Sequence, residues 1–170
     1  MKKLFMALIL TLFLTASVHA AGTVTQSMET YGGDDKVVVT FLCTGDASDG
    51  SIPNTTLSAD IYTYVKGMYL YEVGAFPTTG GTAPDEANVF VLDTKTGIDL
   101  LGSEDGGTTA YGGLKLIHAT LGQIAKPNIY LPRAGQHGYN SPIIKSLPIL
   151  KVTAQGTNSA NFTIVMTFVK

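Results

Sequence analysis

Short β-branched and aromatic runs, separated by turns that contain glycine, make up most of the chain after residue 20. No amphipathic helical pattern of ten or more residues interrupts them. Val, Ile, Thr, Phe and Tyr are typical of strands because they fit a pleated, half-buried surface. The 19 glycines and 7 prolines are dispersed without a period. We therefore predict an all-β fold, an antiparallel β-sandwich or jelly roll of about seven to nine short strands.

Individual strands follow from composition and from alternation with period 2. Residues 36–43 form a β-branched run that ends at a turn-forming segment, residues 44–50. Residues 57–65 alternate, which predicts a strand, and residues 68–73 have a strand-like composition after Gly67. Gly67 is therefore predicted to be a bulge or a sharp bend, since a helix is not expected before it.

The second half of the chain gives three more predictions. Residues 88–93 read as a strand, whereas residues 114–121 are too few to distinguish a strand from two helical turns. Residues 128–131 should be extended because Pro132 follows them. Residues 147–154 and 161–170 are expected to pair as a C-terminal hairpin across residues 155–160.

Apolar residues at alternate positions of these strands define the expected core. The predicted core residues are Val37, Val39, Phe41, Ile61, Leu70, Val91, Leu150, Val152, Ile164 and Phe168.

The first twenty residues have the pattern of a secretory signal peptide. A basic start with Lys2 and Lys3 precedes an apolar run, residues 4–14, and a small-x-small cleavage site, residues 18–20. The apolar run has about 11 residues, whereas a membrane-spanning helix needs roughly 20. We expect a cleavable signal helix over residues 1–20 and one domain over residues 21–170, with no membrane anchorage after cleavage.

Charge and cysteine content limit the partners. Loss of Lys2 and Lys3 from a chain of formal charge −2 leaves −4, without a basic cluster. No nucleic-acid partner is therefore expected. Cys43 is the only cysteine, so no internal disulfide can form in an exported product. At the end of an apolar run, it is expected to be a buried structural residue.

No pattern of catalytic or metal-binding residues emerges. His118 and His137 lack metal-ligand spacing, and residues 46–50 match a calcium loop poorly. Loop carboxylates such as Asp99, Glu104 and Asp105 would serve an enzyme, but no pair is singled out. We predict no enzymatic activity, no cofactor and no metal.

Tyrosines are the residues best placed to form a binding surface. Tyr62 and Tyr64 fall on one face of the predicted strand, and Tyr69 and Tyr71 share a face further along. Such a surface suits a subunit interface or stacking on a sugar, and it equally suits the half-buried outer face of a sheet.

Turn motifs carry a family resemblance. Residues 81–85 (GTAPD) and residues 93–102 (DTKTGIDLLG) resemble segments of small virion-associated proteins of tailed bacteriophages and prophages. The likeness spans most of residues 36–170, although one extra residue separates Asp93 from Gly97. It implies a virion structural or decoration role, whereas such subunits normally lack a secretory leader. The last strand is also similar to that of chaperone–usher fimbrial subunits, which differ in having a disulfide and a penultimate tyrosine.

Together these features predict a secreted, non-enzymatic structural protein that acts by self-association or by attachment to a particle or cell surface. The alternative is a secreted module that binds glycans or another ligand through its tyrosines.

Overall fold

Strands dominate the molecule, which confirms the predicted all-β class. The computed structural model describes residues 21–85, 87–101, 114–116, 123–125, 129–133, 136–140 and 142–170. The described residues contain one helix, α1 (Ala59–Val65). Their strands are β1 (Thr23–Tyr31), β2 (Lys36–Thr44), β3 (Thr55–Thr56), β4 (Tyr69–Pro77), β5 (Ala87–Asp93), β6 (Leu114–Leu116), β7 (Gln123–Ala125), β8 (Ile129–Arg133), β9 (Gln136–Asn140), β10 (Pro148–Thr153) and β11 (Asn161–Val169).

Antiparallel pairing arranges these strands in three sheets. The largest has five strands in the order β1-β2-β11-β4-β7, the second has four in the order β3-β10-β5-β6, and β8 pairs with β9. The strands number more than the predicted seven to nine because several have only two or three residues, too short to leave a periodic signal.

One hydrophobic cluster takes side chains from both larger sheets. β2 and β11 supply Val37, Val39, Phe41 and alternate residues of Phe162–Phe168, and β5 and β10 supply Val89, Val91 and Leu150. All ten predicted core residues are buried, nine of them on strands as alternation predicted and Ile61 on helix α1. The strands predicted over residues 36–43, 68–73 and 88–93 are confirmed as β2, β4 and β5.

Residues 57–65 do not form the predicted strand. Ser58 is the N-cap of helix α1, and its Oγ accepts a hydrogen bond from Ile61 N at 3.3 Å. Ile61 and Val65 are buried one turn apart, and Leu57 is buried before the cap. The apolar residues therefore recur every four positions as well as every two, and the helical spacing is the one that the fold uses.

Gly67 belongs to the turn that ends this helix, so its prediction as a bulge or bend within a strand was wrong. Lys66 N donates to Tyr62 O at 3.0 Å, which is the last helical hydrogen bond, and Gly67 follows with φ of +87°. Gly67 N then donates to Ile144 O at 2.8 Å, which directs the chain into β4.

The predicted C-terminal hairpin was also wrong. β10 pairs with β3 and β5, whereas β11 pairs with β2 and β4, so the connection between them crosses from one sheet to the other. Positive φ angles at Ala154 and Ser159 turn the chain at both ends of the crossing. Alternation specifies which face of each strand is buried, and a hairpin and a crossing satisfy it equally well.

Strand β1 was not predicted, although it pairs with β2 over all nine of its residues. Residues 114–121 were left open between strand and helix, and their first three residues form strand β6. Residues 129–131 are extended in β8, as expected for residues that precede Pro132. The expected signal helix, residues 1–20, lies outside the described residues. Among the described helices, none is long and apolar enough to cross a membrane.

Replacement of Phe168 by Ala tests whether the last strand belongs to the core. Phe168 is fully buried, so we expect Phe168→Ala to lower the free energy of unfolding by about 3–5 kcal/mol. The measurement is denaturant unfolding, with Thr163→Ala on the opposite face of β11 as a control that costs less than about 1 kcal/mol. Equal effects of the two changes would place Phe168 outside the core.

Candidate functional site

The candidate site is the outward face of the five-stranded sheet, which is the face turned away from the hydrophobic cluster. Strand pairing fixes which side chains lie beside one another there, because directly opposed residues of an antiparallel pair project to the same side. One row runs across the end of the sheet through Tyr31, Lys36, Val169, Tyr69 and Ile143. Tyr31, Tyr69 and Ile143 are each at least 40% exposed.

A β-bulge adds a further tyrosine to this row. Thr167 pairs with Glu72 and Phe168 pairs with Leu70, so Tyr71 is the extra residue of β4 at the register shift. Its side chain is 42% exposed. Tyr69 and Tyr71 are therefore both exposed at this end of the sheet.

Tyr62 and Tyr64 do not share a face, because they are two positions apart on helix α1 and not on a strand. Tyr62 is half-buried against the core, and its hydroxyl donates to Lys145 O at 3.2 Å. Tyr64 is exposed. The predicted surface of four tyrosines thus separates into a strand pair and a helix pair, of which Tyr62 has a packing role.

Apolar side chains continue the outward face across its middle. Leu42 of β2 and Ile124 of β7 are more than half exposed, with strands β11 and β4 between them. The ring of Phe76 lies over Gly74, where an added Cβ would come within 2.5 Å of it, so this glycine leaves room for the aromatic ring. Sequence reasoning missed Leu42, although its position between buried Phe41 and Cys43 places it on the other face.

Glu29, Lys36 and Glu72 are charged residues of this face, and the first two contact Tyr31. The Tyr31 hydroxyl donates to the Glu29 carboxylate, and this hydrogen bond together with the negative charge of Glu29 raises the pKa of Tyr31. Lys36 Nζ lies 5.5 Å from the centroid of the Tyr31 ring, within the range of a cation–π contact. At this corner of the sheet, Tyr31 therefore contacts the charged groups of both Glu29 and Lys36.

The loop that faintly resembles a calcium site uses its carboxylate as a turn acceptor. Asp46 Oδ1 accepts hydrogen bonds from Ser48 N at 2.6 Å and from the Ser48 hydroxyl. The backbone of Asp46 is also bonded, to Ser51 and to Ser159. Within the described ranges, no group of three or more His, Cys, Asp or Glu side chains is arranged to hold a metal ion.

A buried glutamine joins this loop to the motif at residues 81–85. Gln155 Nε2 donates to Thr157 O at 2.6 Å and to Gly50 O at 3.3 Å, and Gln155 Oε1 accepts from Asp85 N at 3.2 Å. Asp85 Oδ1 in turn accepts from Gly156 N at 3.1 Å. These bonds hold the crossing between β10 and β11 against two other loops, which is a structural role.

The second motif, residues 93–102, is built around two aspartates. Asp93 Oδ1 accepts from Lys95 N and Thr96 N at 2.9 and 2.8 Å, and Asp93 Oδ2 accepts from the Ser146 hydroxyl. Partial burial alone would raise the pKa of Asp93, but these hydrogen bonds outweigh it and lower the pKa. Gly97, with φ of +70°, closes the turn.

Asp99 is in the opposite electrostatic situation. Its Oδ1 accepts from Val91 N and Leu101 N, both at 3.1 Å, whereas its Oδ2 is a buried oxygen without a hydrogen-bond partner among the described residues. Burial raises the pKa of Asp99 despite the two hydrogen bonds. Glu104 and Asp105 lie outside the described residues.

Cys43 is buried, as predicted, and burial raises the pKa of its thiol to about 12. A thiol with such a pKa is almost entirely protonated at neutral pH and is a poor nucleophile. His118 lies outside the described residues, as does the side chain of His137.

Comparisons with known proteins found no family model, no characterised protein and no solved structure that matches this chain.

The two aspartates of the second motif should affect stability with opposite pH dependence. Asp99 has a raised pKa in the folded state. It therefore contributes fully to folding stability below pH 3.8, the ordinary pKa of an aspartate, and this contribution is lost as the pH rises through the raised pKa. Asp99→Asn keeps an acceptor for Val91 N and removes the charge. We therefore expect the melting temperature of Asp99→Asn to rise relative to that of the wild type between pH 4 and pH 7.

Asp93→Asn is the matched control. Because the folded-state pKa of Asp93 is lowered, its contribution is present above the ordinary value and is lost as the pH falls. The melting temperature of Asp93→Asn should therefore be below that of the wild type from pH 4 to pH 7, and this difference should shrink as the pH falls below 3.8, the ordinary value. If the melting temperatures of both variants, relative to the wild type, changed in the same way with pH, this would contradict the environments assigned to the two carboxyl groups.

Proposed function

We propose that this protein is an exported, non-enzymatic structural protein that acts by self-association or by attachment to a particle or cell surface. Its role would be that of a virion-like or surface-filament subunit. The observation that carries the proposal is the outward face of the five-stranded sheet, where Leu42, Ile124, Tyr31, Tyr69 and Tyr71 are exposed together with Ile143.

The composition of this face favours association. The centres of protein interfaces are depleted in charge and enriched in aromatic residues, and an exposed apolar patch rimmed by polar groups typically marks an interaction site. Here Val38, Val165 and Val169 lie half-buried, Glu29 and Lys36 stand near one border, and Glu72 is half-buried opposite Thr167. Burial of this surface against a partner would remove apolar area from water.

We further propose that the two larger sheets form a β-sandwich. The inward residues of both contribute to one hydrophobic cluster, as expected when two sheets pack face to face. Gln26 of β1 supports the same arrangement, because its Nε2 donates to Thr56 O at 2.7 Å and its Oε1 accepts from Ser58 N at 3.0 Å. These bonds join the edge of one sheet to the edge of the other.

Export is supported by the leader-like pattern of residues 1–20, and the predicted acidic product supports partners other than nucleic acid and anionic lipid. The partners that fit these properties best are other copies of this chain, a particle or a cell surface.

A glycan-binding module is the second candidate. The exposed rings of Tyr69 and Tyr71 at one end of the sheet favour it, because aromatic faces stack on sugar rings. The two candidates differ in what covers the outward face, and separate measurements distinguish them.

Self-association is tested on the product isolated after expression of the complete chain with its leader. We expect mass spectrometry to show a product that begins at Ala21, and light scattering over a hundredfold concentration range to show growth beyond a monomer. Leu42→Lys places a charge on the outward face and should shift the formation of assemblies larger than a dimer to concentrations at least about tenfold higher.

Thr94→Lys is the control, because it adds the same charge at an exposed turn after β5 of the other large sheet. It should leave the mass distribution unchanged. A wild-type product that stays monomeric and binds neither cells nor particles would overturn the proposal.

The glycan alternative is tested with the double variant Tyr69→Ala/Tyr71→Ala on a glycan screen. If the rings stack on sugar, its affinity for any glycan that binds the wild type should fall by about tenfold or more. Tyr64→Ala tests separately whether the exposed tyrosine of helix α1 contributes to glycan binding. Binding that neither variant alters would exclude the tyrosines as the glycan site.

A further inference from the structure

Strand β1 forms one edge of the five-stranded sheet. Among the described residues, its only strand partner is β2, with which it pairs continuously from Thr23 opposite Thr44 to Tyr31 opposite Lys36. About half of the backbone N–H and C=O groups of an edge strand point away from the sheet, where they can pair with another strand. A nine-residue edge is long enough to be a template for such pairing.

The usual devices that protect an edge are missing from β1. It contains no proline and no lysine, and its register with β2 has no bulge, in contrast to β4. Thr23, Thr25 and Ser27 on its outward side are exposed and uncharged. The strand therefore offers flat, regular backbone to a partner.

Both ends of β1 are held in place, so the edge is formed in advance. At the start, Gly22 lies so close to Ser51 O that an added Cβ would come within 2.2 Å of it. At the end, Gly32 and Gly33 have positive φ angles and turn the chain into β2. Between them, the Gln26 side chain is bonded to the backbone of Thr56 and Ser58.

The sequence of β1 is self-complementary in one orientation. When two copies pair antiparallel about Ser27, Glu29, the only charged residue of the strand, faces Thr25 of the other copy. In the parallel, in-register orientation the two copies of Glu29 would face each other, which is destabilising. The antiparallel register uses all nine residues and pairs every outward-directed backbone group, with about eight to ten hydrogen bonds between the chains.

We infer that β1 is the contact through which two copies of this chain associate, antiparallel about a two-fold axis at Ser27, so that the two five-stranded sheets join into one. This inference rests on the proposed self-association and names its first contact. The outward side chains of both copies would then lie on one continuous face, because the register keeps like faces together. Further assembly or attachment through that face would start from the dimer.

The test introduces a charge at the two-fold axis. Ser27 is exposed and is not in the core, so Ser27→Lys should leave the unfolding temperature unchanged while it places two lysines opposite each other. We expect light scattering to show a wild-type dimer, and Ser27→Lys to be monomeric at concentrations at least about a hundredfold higher. Ser27→Thr, which stays uncharged and favours a strand, should retain the dimer.

Charge complementation gives a readout that misfolding cannot imitate. Ser27→Glu alone should also be monomeric, whereas an equimolar mixture of Ser27→Lys and Ser27→Glu should recover the dimer mass. In hydrogen exchange, backbone amides of β1 should be slower in the dimer than in either variant alone.

The outcomes separate the inference from the proposed function. Wild-type assemblies that persist unchanged in Ser27→Lys, but are lost in Leu42→Lys, would overturn the edge contact and leave self-association through the outward face. A wild type that is monomeric throughout the concentration range would overturn both. Loss of the dimer in Ser27→Lys, with a dimer retained in Leu42→Lys, is the result that we expect.

Discussion

The position of β11 in the middle of the five-stranded sheet is the constraint on which the rest of the fold depends. This last strand pairs with β2 on one side and with β4 on the other, over nearly its whole length. Its inward residues Phe162, Ile164, Met166 and Phe168 are almost completely buried. Without β11, the sheet would divide into a β1–β2 hairpin and the β4 region, each with an uncovered apolar face and an unpaired edge.

Pairing of the C-terminal strand with β2 also has a kinetic consequence. Phe41 and Ile164 are neighbours in the sheet but are more than one hundred residues apart in the chain. Closing so long a loop costs entropy before the contact stabilises the protein, so folds with such pairings are slow to form. The hydrogen bonds between Gln155, Gly156 and Asp85 stabilise the connection between β10 and β11, and so help to position β11 in the sheet.

Alternation in the sequence was enough to predict the fold class and the core, but not the connections. Nine of the ten predicted core residues are buried on strands, where inward position depends on the local period that is visible in the sequence, and Ile61 is buried on helix α1. The helix at residues 59–65 was missed because Leu57, Ile61 and Val65 satisfy both periods, and the Ser58 cap was the signal that could have distinguished them. The C-terminal hairpin was wrong because partner choice depends on distant strands. On the outward face, tyrosine exposure could be anticipated, whereas the row that joins Tyr31 to Tyr69 depends on the register of four strands.

The anchoring of β1 determines how the sheet could be extended. An assembly that exchanged this strand between copies would have to break the bonds of Gln26 to Thr56 and Ser58 and the close packing of Gly22 against Ser51. It would also expose Val24 and Met28, which pack against the core. Addition of a second copy to the edge of β1, which has no further strand partner among the described residues, requires none of these losses. The same side-chain contacts that join the two sheets therefore favour extension of an intact sheet over exchange of its first strand.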